Sequence, residues 1–163
     1  MLIAHIPAGY ILAVYLQKAF KVDRYVSWAL LGSVSPDLDL IWFYFVDNRS
    51  TLHHLYFPHI PLFWLVGIVT VYCFIFLLPP ARLQCFWLSC TCFFCGIVAH
   101  LVLDSFTGGI AWLYPFSDEL FVLISIPKKY DWWVISFVLH WSFLLELSIT
   151  GWAVYLLARR ARP

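Results

Sequence analysis

The chain has 163 residues, of which 63% are hydrophobic, 20% aromatic and only 12% charged. A soluble domain carries about 25% charged residues, so this composition excludes an ordinary soluble fold and describes an integral membrane protein. The formal net charge of +1 offers no footprint for nucleic acid. The length allows a single membrane domain over residues 1–163, an all-α polytopic bundle of about five spans at about 20 residues each.

The first apolar run, residues 2–16, carries its positive charges after it, at Lys18, Lys21 and Arg24. A signal peptide carries them before, so the run reads as a retained helix with its N-terminus outside. The second run, residues 25–46, is apolar apart from Ser33, Ser35, Pro36, Asp37 and Asp39. A proline inside a helix frees backbone groups, which in lipid must be satisfied by protein or water. This helix is therefore expected to end or kink near Ser35 and Pro36. A third run, residues 60–78, is separated by Pro79 and Pro80 from a fourth, residues 83–103. Residues 108–127 hold Gly108, Gly109, Pro115, Asp118 and Glu119, and read as a short re-entrant or interfacial segment. Residues 132–157 form the fifth run.

The five cysteines lie in or beside apolar runs. Cys92 and Cys95 form a CxxC, a spacing used by redox and zinc motifs. With no second pair and a lipid setting, they read as small core-packing residues. Lysine and arginine placement sets the orientation. With Arg159, Arg160 and Arg162 in the cytoplasm, Arg82, Lys18, Lys21 and Arg24 fall inside as well, and Arg49, Lys128 and Lys129 fall outside.

Projected onto that topology, all six histidines fall at the outer face, together with Asp37, Asp39 and Asp104. Ionisable groups at membrane depth cost at least ~2.5 kcal/mol each and normally pair, line a wet cavity or bind an ion. His100 and Asp104 stand four apart and so share one helix face. Asp37 and Asp39 flank one residue at a broken helix end, where an extended backbone would turn both inward. In 53-HHLYFPH-59, two neighbouring histidines precede a third at the start of a span. Imidazole and carboxylate together suit zinc, manganese or iron, and the donors exceed the needs of one tetrahedral ion. A two-metal site would clamp both oxygens of a phosphoester.

On His5 with Gly9, on 32-GSVSPDLD-39, on 53-HHLYFPHIPLFW-64 and on 100-HLVLDSFTGGIAWLYPFS-117, the chain resembles the YdjM-like family of predicted membrane-bound metal-dependent hydrolases. The HxxxD is more loosely similar to zinc-dependent phospholipase C, although His140 is followed by Glu146 six positions on and gives no HxxxE. The resemblance implies a helical protein of the bacterial inner membrane with one or two divalent ions, zinc or manganese. Its implied ligands are His5, Asp37, Asp39, His54, His59, His100 and Asp104, with His53 ranked behind His54, and Asp118 as a contact behind the ligands. Asp39, as general base, and His100 are the catalytic candidates. His140 and Glu146 enter from their residue types alone.

Together these readings describe a membrane hydrolase in which a metal-activated water attacks a lipid phosphoester at the outer leaflet. Membrane lipid is then both environment and substrate. An intramembrane protease or amidase ranks lower because HExxH is absent. The alternative is a divalent-metal transport or sensing protein without hydrolase activity.

Overall fold

A computed structural model describes residues 3–21, 26–77 and 79–161. Arg24 and Arg162, two of the topology markers, lie outside these residues. The described chain is helical: α1 (His5–Phe20), α2 (Val26–Val34), α3 (Asp39–Phe45), α4 (Pro61–Ile75), α5 (Pro80–Thr107), α6 (Trp133–Val138) and α7 (Phe143–Arg160). Three single 3-10 turns, Pro36–Leu38, His53–Leu55 and Phe57–His59, join α2 to α3 and α3 to α4.

The local chemistry explains the boundaries. Pro61 and Pro80 open α4 and α5 at a position where a missing N–H costs nothing. Lys21 closes α1 in the left-handed region at φ 55°. Pro36 cannot donate to the preceding turn, so the second apolar run breaks at the expected place into α2, a 3-10 turn and α3. The backbone at the break is helical, not extended: Leu38 and Asp39 have φ near −65° and ψ near −20°.

The helix α5 is the spine. Its 28 residues span about 42 Å at 1.5 Å per residue, more than the hydrocarbon thickness of a bilayer. Helices α1, α2 and α4 pack on it, and α7 packs on α1. The α2–α5 crossing is close because glycines face it. A Cβ on Gly32 would lie 1.9 Å from the Phe93 carbonyl oxygen, and one on Gly96 2.3 Å from that of Ala29. Such small-residue contacts let membrane helices approach backbone to backbone. One core cluster joins Ala13, Ala29, Leu88 and Cys92, and a second joins Phe94, Ile97, Leu101 and Ile110. Cys92 packs in the first, and all five cysteines are free thiols. Outward, Leu65 and Phe74 of α4 are 57% and 65% exposed, an apolar surface suited to lipid.

The helix lengths depart from five continuous spans. Within α5, Leu83–Thr107 is long and apolar enough to cross a bilayer, and Pro61–Ile75 is apolar but shorter. The run at 132–157 is not one helix. It breaks between α6 and α7, where the His140 ring bonds Ser142 Oγ at 2.9 Å, a local side-chain bond of the kind that competes with the helical ladder. Residues 108–127 are non-helical and fold back on the end of α5. Ile110 and Phe121 form an isolated bridge, and the N–H groups of Leu123 and Ile124 donate to the Ser105 and Phe106 carbonyls. Those bonds satisfy backbone groups that lipid could not.

Candidate metal centre

Five elements bring imidazole and carboxylate side chains to one end of α5. The first turn of α1 contributes His5, whose ring stacks on His100 with centroids 3.8 Å apart and planes 15° apart. Its Nε2 lies 3.2 Å from Asp104 Oδ1. His5 is buried, and its Nδ1 has no hydrogen-bond partner among the described residues. The 3-10 turn at Pro36 contributes Asp37, and α3 begins with Asp39. These two carboxylates reach opposite edges of one ring. Asp39 Oδ2 accepts from His59 Nδ1 at 2.7 Å, while Asp37 Oδ1 lies 3.7 Å from His59 Nε2.

The loop before α4 is held from both ends. Asp47 accepts from Ser50, Tyr56 and the Thr51 N–H. The Trp64 indole N–H donates to the Pro58 carbonyl at 2.6 Å, tying the Phe57–His59 turn to α4. Hydrogen bonding by Ser50 first and then Tyr56 holds the Asp47 carboxyl down at about 2. Burial lowers His53 and His54 to about 4, which leaves both rings neutral at neutral pH. Burial also opposes charge on His59, but bonds to Asp37 and Asp39 outweigh it and raise that ring to about 9. The carboxylates therefore make this point attractive to a cation.

The ring orientations decide what the cluster can do. His54 Nδ1 faces the Gly108 carbonyl at 2.9 Å, His100 Nδ1 faces the Ser33 carbonyl at 2.8 Å, and His59 Nδ1 faces Asp39. Each of these acceptors needs a proton, so each Nδ1 is the N–H. In a neutral ring the Nε2 then carries the lone pair, whereas His59, raised to about 9, holds a proton there that a metal ion would displace. The three Nε2 atoms converge on Asp104 Oδ2, at 3.6 Å for His54, 3.6 Å for His59 and 3.1 Å for His100. His59 Nε2 and His100 Nε2 are 3.4 Å apart, and Asp37 Oδ1 is 3.7 Å from each.

Of the ligands implied by resemblance, His5, Asp37, His54, His59, His100 and Asp104 thus face one region. Asp39 stands behind His59. The donor atoms of three trios lie within 4.8 Å of one another: His53, His54 and His59; His5, His100 and Asp104; and Asp37, His59 and His100. The structure adds His53, which stacks on His59 at 4.8 Å between centroids. Asp118 is exposed on its loop. His140 turns to Ser142 instead. Glu146 is fully buried on α7 and accepts the Ile3 N–H at 2.6 Å, anchoring the segment that leads into His5. The Ser33 and Gly108 carbonyls have no signature in residue type. The one hint is the glycine pair at 108–109, since a Cβ on Gly108 would lie 2.3 Å from His54 Cε1.

The residues that build this cluster lie within a family match that covers almost the whole chain: residues 1–160 match the YdjM inner membrane protein family. The chain belongs to that family. Its family name sets it in the inner membrane, in keeping with the apolar outer surface of α4 and the length of α5. No curated protein and no solved structure matches the chain, so the looser likeness to zinc-dependent phospholipase C gains no support.

Proposed function

We propose that the chain is a membrane-embedded, metal-dependent hydrolase that cleaves a phosphoester of a lipid or lipid-like substrate at the outer leaflet. The single observation that carries the metal is the convergence of the His59 and His100 Nε2 atoms, 3.4 Å apart, beside two carboxylates. A proton on His59, a ring raised to about 9, bridges the two nitrogens when no metal is bound, and a divalent ion would take that proton's place. The separation matches the edge of a tetrahedron with bonds of ~2.05 Å, about 3.3 Å, as zinc prefers. The donor set of two imidazoles and two carboxylates, Asp37 and Asp104, suits zinc or manganese.

A divalent ion held by these residues would supply a water of lowered pKa and polarise a phosphoryl oxygen. The chain's own residues do the rest. Asp39 acts through His59, fixing its tautomer and raising its basicity as a ligand. Ser33 and Gly108 do the same for His100 and His54 through backbone carbonyls. Asp104 faces His5 with Oδ1 and the other rings with Oδ2, so it would help to hold an ion bound among them. Asp37, whose side chain is 27% exposed, is the most open of the carboxylates. Its free oxygen is the place where a proton can be taken up. The phosphoester reading rests on the family resemblance and on a cluster set at helix ends, where lipid headgroups lie. About five spans with the basic residues inside would put that end outside.

The test uses the full chain purified in detergent. Zinc content is measured for the wild type and for His100→Ala, His59→Ala and His140→Ala. The first two variants are expected to lose the ion and the third to keep it. Equal metal content in all four samples would sink the site. Release of headgroup or phosphate from a panel of short-chain phospholipids, abolished by chelator and restored by zinc, then supports hydrolysis. Zinc uptake into proteoliposomes without hydrolysis would favour a transporter.

A further inference from the structure

A cavity of about 350 Å³ adjoins the cluster on the side of His53 and His54. That volume is within the range of small-ligand sites. Its lining joins the two histidines and Gly108 to Lys128, Trp133 and Ser136. The cavity touches the centre through a shared side chain. The His54 ring lines it, and Nε2 of that same ring is 3.6 Å from Asp104 Oδ2. A group resting against His54 from the cavity is therefore one ring's width from the ligand cage.

The charges around this cavity have one sign. Among its described lining residues no carboxylate occurs, and Lys128 is the one lysine or arginine. The neighbouring Lys129 is not in the lining; its ammonium lies over the Tyr130 ring, 5.8 Å from the centroid. Ser136 helps to fix this corner, because its Oγ accepts the backbone N–H groups of Lys129 and Tyr130 at 3.2 and 3.0 Å. Lys128 is thus presented by a short segment pinned to α6, and the lysine next to it is turned to another partner.

We infer that Lys128 and the adjoining cavity bind the phosphoryl oxyanion of a phosphate ester and hold it against the His54 side of the centre. The inference rests on the hydrolase reading above and names the charged group that reading needs. A lysine ammonium is a point charge with three donors, suited to a phosphate whose remaining oxygens face the centre. Tryptophan and phenylalanine in the same lining, Trp133 and Phe137, give apolar contact to whatever the phosphoryl group is attached to. That attachment can be a lipid or a soluble alcohol; the recognised chemistry is the same.

The experiment titrates two probes, inorganic phosphate and dihexanoyl phosphatidic acid, into the full chain in detergent by calorimetry, with cobalt bound as a visible substitute ion. Lys128→Ala is expected to weaken both probes about tenfold, the loss of one charge-assisted hydrogen bond. Lys128→Arg should retain most of the affinity and Lys129→Ala all of it. A lipid probe bound more tightly than phosphate points to a membrane substrate, and equal affinity points to a soluble one. Unchanged affinity in Lys128→Ala, or an equal loss in Lys129→Ala, overturns the inference. So does a wild type that binds neither probe. Failure of the wild type to take up cobalt, read from its absorbance in the same samples, overturns the metal reading instead. The metal-free titration then still judges Lys128.

Discussion

Replacing Gly96 by Ala adds one methyl group and touches no ligand, yet it should dismantle the centre. A Cβ at this position would lie 2.3 Å from the Ala29 carbonyl oxygen and 2.7 Å from the Ser33 backbone nitrogen. Ordinary contact begins at 3.4 Å, so the shortfalls are about 1.1 and 0.7 Å, and both opposing atoms are backbone. Neither can rotate away, so α2 must move off α5. Ser33 is the residue whose carbonyl orients His100, at 2.8 Å from Nδ1. His100 is one turn beyond Gly96 on the same face of α5. A displacement near 1 Å exceeds the ~0.2 Å tolerance of a metal–ligand bond several times over. Overpacking of this kind costs about 1–3 kcal/mol of stability, and loss of an orienting partner costs about 10–100-fold in metal affinity. The measurement is a cobalt titration followed by absorbance, with thermal unfolding in the same detergent. Gly67→Ala and Gly151→Ala serve as controls, because a Cβ there meets nothing within 4 Å. A folded Gly96→Ala protein with the cobalt affinity of Gly67→Ala would refute the reasoning.

Other expectations follow from the same geometry. Asp39→Asn keeps the shape but weakens the acceptor for His59 Nδ1, so zinc affinity should fall about 10–100-fold without vanishing, whereas an effect as complete as that of His59→Ala would make Asp39 a ligand. Gly108→Ala pushes on the His54 ring, 2.3 Å from the new Cβ, but a side chain can yield where backbone cannot. Its effect on cobalt affinity should therefore be smaller than that of Gly96→Ala, and the reverse order would contradict the assigned packing. Asp47 is held at about 2 against an ordinary 3.8, so its contribution to loop stability is fully present above pH 3.8 and is lost as pH falls towards about 2. The ring resonances of Tyr56 should report that window in an NMR titration, and Asp47→Asn should show no such inflection.

The polar residues were legible because lipid makes them outliers. Each of His5, His59, His100 and Asp104 would be unremarkable in a soluble core, and in an apolar chain each calls for a partner. The break at Pro36 was legible for the same reason that prolines end helices anywhere. The break between α6 and α7 was not, because residues 132–157 are apolar enough to hide a turn closed by backbone bonds and by the contacts of His140 with Ser142. The role of Asp39 was also hidden. Two aspartates separated by one residue look equivalent in a sequence, and only the ring of His59 between them tells the one at Nε2 from the one at Nδ1.

This difference in legibility has a physical origin that bears on how such sites evolve and how they fail. A ligand is chosen for its side chain, so residue type reports it. The groups that aim His54 and His100 are the carbonyls of Gly108 and Ser33, which every residue possesses. What those positions require is closeness: Gly108 must lie against a ring, and Ser33 must lie where Gly96 lets α5 come near. In a bundle whose helices gain little from burying apolar surface against each other rather than against lipid, such close approach depends on small residues. The geometry of the His/Asp cluster therefore depends on Gly32 and Gly96 as well as on the histidines. A substitution survey confined to polar residues would find the cage and miss the crossing that holds it open to an ion.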